Sequence, residues 1–195
     1  MIIGISSEVE VSNEHTTIHQ LLGGGMDLFH IRKYQYSDEM IKAYVGRIDP
    51  SFRDRLVLHS HLHLAGNLQI KRIHCNEKNR VLGWPFLRGD FILSTSVHSI
   101  ADFNRLSEEW TYAFLSPMFP SISKKGYGVK QTVCSKLKER VNFKTKLIGL
   151  GGIDSENYKG LRELGADGAA LLGSLWHSTQ PLKTLRKCKE IDRLF

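Results

Sequence analysis

The chain has 195 residues, is 41% hydrophobic and carries a formal net charge of +7 at pH 7. One domain over residues 1–195 is expected, since this length buries a substantial core. No apolar run approaches the ~20 residues of a membrane span, and MIIGISSEVEV has neither the charged start nor the apolar stretch of a secretion signal. A cytoplasmic protein with no membrane partner is therefore expected.

The elements follow in chain order. IIGISS (2–7) reads as a first strand, and VSNEHTTIHQLLGGG carries a helix to a glycine stop. LFHIR (28–32) is a second strand, and SDEMIKAYVGRI follows as a helix with Ser37 as its N-cap. RLVLHS (55–60) is a third strand, HLHLAGNLQ a short helix, and RIHC (72–75) a weak fourth strand with a poorly defined segment behind it. FILSTS (91–96) precedes a helix over 99–106, and TYAFLS (111–116) leads into the long loop PMFPSISKKGYGVK. A helix is expected over 132–140. KLIGL (146–150) ends in Gly151 and Gly152, SENYKGLRELG is helical, and GAALLG (168–173) is the last strand before a helix that follows Pro181.

Regular β–α alternation implies a parallel sheet, because parallel strands need crossover connections. Eight units point to an α/β fold closed as a (β/α)8 TIM barrel, irregular around the third and fourth strands. An open doubly wound sheet is the alternative, but no GxGxxG follows the first strand.

Three widely spaced cysteines, Cys75, Cys134 and Cys188, fit free thiols better than a disulfide framework. The positive charge favours an anionic partner. Lys and Arg are dispersed without a block of five or six, so a small phosphorylated molecule is expected and nucleic acid is not.

In such a barrel, chemistry sits at the C-terminal strand ends, and phosphate often binds after strands seven and eight. Gly151, Gly152, Gly173 and Ser174 occupy those ends. Glycine lets a backbone N–H approach an anion closely, although the same glycines also serve tight turns. His30 and Arg32 share one face of the second strand, and Lys33 follows. Arg32 has the fork that suits phosphate oxygens, though pairing with a helix carboxylate is an equal alternative. Ser96 and His98 alternate at the end of the fifth strand. The loop after the sixth strand offers Ser121, Ser123 and Lys124, and loops of this length are often functional. His59, His61 and His63 would share a face on a strand, but a helix starting at Leu62 would make them diverge. No metal ligand is assigned.

In these residues the chain resembles the thiamine phosphate synthase/TenI family over nearly its whole length. The matching segments are SPMFPSISK, STSVHS, LIGLGGI with the downstream Asn157, and GADGAALLGS. The resemblance implies a (β/α)8 barrel that joins an aminopyrimidine diphosphate to hydroxyethylthiazole phosphate, releasing diphosphate. It implies that Gly151, Gly152, Gly173 and Ser174 hold the thiazole phosphate. It also implies that Arg32, Ser96 and Lys124 face the diphosphate, with Ser121 and Ser123 beside the thiazole.

The departures concern metal and proton chemistry. The synthases carry an Asn-Asp pair after the third strand, where this chain has His59-Ser60, and a second magnesium aspartate where this chain has Asn79. The family glutamine is His30, and Tyr34 stands at the family lysine with Lys33 adjacent. The implied magnesium is expected to bind weakly, because magnesium prefers carboxylate oxygens. TenI-type tautomerases use a histidine where this chain has Pro117, so His30, His61 or His98 would have to supply that function. A tautomerase and a non-catalytic thiazole phosphate binder remain alternatives, and a homodimer is left open.

Overall fold

A computed structural model describes residues 1–81, 90–120 and 132–195. Eight parallel strands close into a barrel in sequence order. They are β1 (Ile2–Ile5), β2 (Leu28–Ile31), β3 (Leu56–Leu58), β4 (Arg72–Cys75), β5 (Ile92–Val97), β6 (Trp110–Leu115), β7 (Lys146–Leu150) and β8 (Gly168–Leu171). Closure comes from β8 lying against β1, with Ala169 opposite Ile2 and Leu171 opposite Gly4.

Strand alternation divides the side chains into two layers. Ile3, Ile5, Leu28, Val57, Phe114 and Ile148 form a cluster inside the barrel. Phe29, Ile31, Leu58, Leu115 and Leu147 point outward into a larger core shared with the helices. The helices are α1 (Glu14–Gly23), α2 (Asp38–Gly46), α3 (Glu77–Val81), α4 (Ile100–Asn104), α5 (Tyr158–Glu163), α6 (Gly173–Trp176) and α7 (Pro181–Asp192).

Local chemistry sets several of their ends. Ser37 caps α2 by accepting from the Met40 amide, and Ser99 caps α4 by accepting from the Asp102 amide. Asp192 on α7 ties both termini together: its carboxylate pairs with the Met1 ammonium at 2.8 Å and accepts from the Tyr158 hydroxyl at 2.6 Å.

The irregularity expected near β3 and β4 is present. Only a three-residue 3-10 turn, Leu62–Leu64, lies between these strands. The helix expected over 132–140 is a correction: it is a 3-10 helix, Cys134–Glu139, in which Leu137 alone is buried. One apolar anchor does not define the broad stripe that docks an α-helix. Among the described residues, no helix is long and apolar enough to cross a membrane.

Candidate functional site

The inward positions of β2 to β6 carry polar groups in an otherwise apolar barrel. His30 sits on β2, His59 one residue past the end of β3 and His74 on β4. All three are buried, and His30 has no exposed surface. His30 Nδ1 lies 2.7 Å from His59 Nε2, and its Nε2 lies 2.7 Å from the Tyr112 hydroxyl. The His59 and His74 rings stack at 4.3 Å between centroids. Phe114 also stacks on His74, with centroids 4.7 Å apart.

The His74 tautomer follows from its partners. The Ser94 hydroxyl donates to the Ile73 carbonyl at 3.2 Å, so its oxygen accepts from His74 Nδ1–H at 3.0 Å. His74 Nε2 then holds a lone pair and accepts from the Ser96 hydroxyl at 2.8 Å. Burial holds His30 and His59 well below the usual imidazole range. Burial, followed by the nearby Arg32 charge, pushes His74 down to about 3. Neutral imidazoles therefore line this wall at physiological pH.

Arg32 stands at the next inward position above His30. Its Nε lies 3.1 Å from Glu8 Oε1, an ion pair without hydrogen-bond alignment. Its backbone N–H donates to Ser6 Oγ at 2.8 Å. Two hollows share this arginine. One, of about 270 Å³, is bounded by His59, His74, Asn76 and Ser96. The other, of about 230 Å³, is bounded by Ser7, Gly173, Trp176 and His177. The guanidinium therefore belongs to the wall between them. Next to Gly173, the Ser174 hydroxyl is buried with no partner among the described residues.

The sequence-derived candidates separate on this geometry. Arg32, Ser96 and Gly173 line the two hollows. His30, expected to bind substrate, lies beneath the floor and lines neither hollow, with its two nitrogens engaged by His59 and Tyr112. Lys33 is also corrected. It points out of the barrel, is buried, and holds Glu14 at 2.9 Å beneath the Tyr36 and Tyr44 rings. Alternation along β2 demands this, because Lys33 and Arg32 are consecutive.

His98 is exposed at the rim, with Nδ1 3.1 Å from the Ser116 carbonyl. Gly151 and Gly152 both have positive φ, at 100° and 64°. A Cβ on Gly152 would sit 2.3 Å from the Pro120 carbonyl oxygen, so this glycine is required by the chain packed over it. Ser121, Ser123 and Lys124 lie outside the described residues. His61 and His63 turn away from His59, to the Tyr36 carbonyl and the Asp38 carboxylate, as a turn beginning at Leu62 requires.

Sequence reasoning missed His74, Ser94 and Tyr112. The available signal was parity: each is a polar residue on an inward position of its strand, level with or next to another.

A family model described as thiamine monophosphate synthase matches residues 2–175. The chain belongs to the thiamine monophosphate synthase family. It is 28% identical to a thiamine-phosphate synthase of Bacillus velezensis, over 90% of this chain and 82% of that one. It is 22% identical to a thiamine-phosphate synthase of Bacteroides thetaiotaomicron, over 89% of this chain and 88% of the relative. In three dimensions it resembles a thiamine phosphate pyrophosphorylase from Bacteroides thetaiotaomicron, with a TM-score of 0.81, 22% identity, and 99% and 98% of the two chains covered. A pyrophosphorylase from Pyrococcus furiosus gives 0.79 at 14% identity, covering 99% and 95%. At these identities the structural likeness concerns the fold.

Proposed function

We propose that this chain, acting as one barrel domain, is a thiamine-biosynthetic transferase. It joins an aminopyrimidine diphosphate to hydroxyethylthiazole phosphate and releases diphosphate. Family membership supports the class of reaction. The observation that carries the reading is Arg32, one cation shared by two adjoining hollows. A reaction that brings two anionic substrates together needs such a group between them.

In this reading, the thiazole phosphate sits beside Gly173 and Ser174, where a buried hydroxyl awaits an acceptor. The diphosphate lies toward Arg32 and Ser96. The bond between the pyrimidine methylene carbon and the diphosphate oxygen breaks, and its electron pair leaves with the diphosphate. The lone pair of the thiazole nitrogen then bonds the methylene carbon. Arg32 stabilises the negative charge that develops on the departing oxygen. The His59 and His74 rings and Phe114 form an aromatic wall of the hollow, which shields the cationic pyrimidine from water on that side.

The family resemblance implies magnesium on the diphosphate. The 270 Å³ hollow does not fit it. Its polar donors include imidazoles, an amide and a hydroxyl, and its one carboxylate, Glu8, is already paired with Arg32. Magnesium takes carboxylate and water oxygens, so no step is assigned to it.

The test is a turnover assay with both substrates, following thiamine phosphate and diphosphate by chromatography, with a carboxylated thiazole phosphate as a control for isomerisation. Wild type is expected to form both products. Arg32→Ala is expected to lower kcat about 10²- to 10³-fold, the usual cost of losing one preorganised charge stabiliser. Isomerisation alone, or an Arg32→Ala enzyme of full activity, would overturn the reading.

A further inference from the structure

We propose that His30, His59 and His74 form a binding site for a divalent transition-metal ion of the zinc class. This goes beyond the transferase reading and does not depend on it. One nitrogen from each ring lies within 4.8 Å of the other two, and all three residues are buried.

The three come from the neighbouring strands β2, β3 and β4, with His30 beneath the other two, so the fold itself brings them together. Each must offer a lone pair, and each is neutral in its buried setting. His74 presents Nε2, because its Nδ1–H is committed to Ser94, and an ion there replaces the Ser96 hydroxyl on that lone pair. His30 can present Nδ1, with its Nε2–H given to the Tyr112 oxygen 2.7 Å away. Metal-binding histidines commonly donate their other N–H to an oxygen in this way, which fixes ring and tautomer. His59 presents Nε2, toward His30 Nδ1 at 2.7 Å, which leaves its Nδ1 as the N–H, without a partner among the described residues.

Two neutral imidazoles 2.7 Å apart share a single hydrogen. An ion among the three rings would replace that shared hydrogen and open the spacing to about 3.3 Å, the separation of two nitrogens on one tetrahedral zinc. It also requires His59 to turn off the face of His74, because rings 20° from parallel do not aim both lone pairs at one point. Imidazole donors suit zinc, copper, iron and nickel, not magnesium. The side facing Arg32 and Ser96 is left for an outside ligand.

The experiment uses the full chain, stripped with a chelator and titrated with zinc by calorimetry and with cobalt(II) by visible absorption. One equivalent of each is expected, with the ligand-field bands of a nitrogen-rich site and three imidazoles by X-ray absorption. His59→Ala and His74→Ala should abolish saturable uptake, while His63→Ala, at the exposed Asp38 pair, should leave it unchanged. Ser94→Ala keeps all three ligands and should weaken binding about 10-fold or more. The X-ray absorption count needs no variant, so it decides the matter even where a histidine variant fails to fold. No saturable uptake, an oxygen-dominated shell, or uptake that persists in folded His59→Ala and His74→Ala would overturn the proposal.

Discussion

The two sides of the barrel interior are built from different chemistry. Along β2 to β6 the inward residues include His30, His59, His74, Ser94 and Ser96, closed by Tyr112. Along β7, β8 and β1 they are Ile148, Ala170, Ile3 and Ile5. The apolar side repays its burial through transfer from water and needs no partners. The polar side is tolerable only because its groups bond one another, and it supplies the wall of the mouth. One side is apolar packing, while the other carries the polar groups of the candidate site. Arg32 stands where the two meet.

The largest expected effect is outside both. Lys33 and Glu14 form a buried pair beneath the aromatic rings. Lys33→Met should cost about 3–5 kcal/mol, since it strands a carboxylate, and Lys33→Met with Glu14→Leu should recover most of that. Chemical denaturation measures both. Activity per folded molecule should not change, and a selective loss of turnover would return Lys33 to the substrate site.

Ile148→Ala on the apolar side should cost about 2–5 kcal/mol of stability through transfer and cavity terms. Denaturation midpoints read this, and the KM for each substrate should stay near wild type. A shift in KM without loss of stability would break the division of labour.

Acid should act on the polar side. His74 ionises in the unfolded chain near its ordinary value of 6.5 but is held to about 3 in the fold. The unfolded state therefore binds more protons in this window, so stability is full above pH 6.5 and falls as pH drops toward 3. His74 alone should cost the metal-free protein about 2 kcal/mol between pH 6.5 and 5. His30 and His59 shift in the same direction. Ser94→Ala should be smaller, about 1–2 kcal/mol, from leaving His74 Nδ1–H without its acceptor. A shallower pH profile in His74→Gln would confirm its share of the slope, with His30 and His59 supplying the rest; a flat profile in wild type would contradict it.

The barrel was legible because strand-helix alternation is local and leaves closure little choice. Arg32, Ser96 and Gly173 were legible because strand ends define the mouth. The histidine cluster was not, because no spacing in the chain connects His30, His59 and His74. Only strand register makes them neighbours, whereas the closely spaced His59, His61 and His63 are dispersed by the Leu62 turn, as the sequence also suggests. Lys33 was misplaced although the parity of β2 separates it from Arg32. The 3-10 helix at Cys134–Glu139 escaped because lysine-rich residues favour helix, while helical docking depends on an apolar stripe this segment lacks.

Arg32 is expected to serve two adjoining anion sites, and calorimetric titration can separate them. Hydroxyethylthiazole phosphate and inorganic diphosphate would be titrated separately into wild type and into folded Arg32→Ala. Both ligands should bind wild type and both should weaken about 10-fold or more in the variant, as expected for loss of a charged hydrogen bond. Unchanged affinity for both would contradict it, and weakening of one alone would confine the arginine to a single hollow and remove its bridging role.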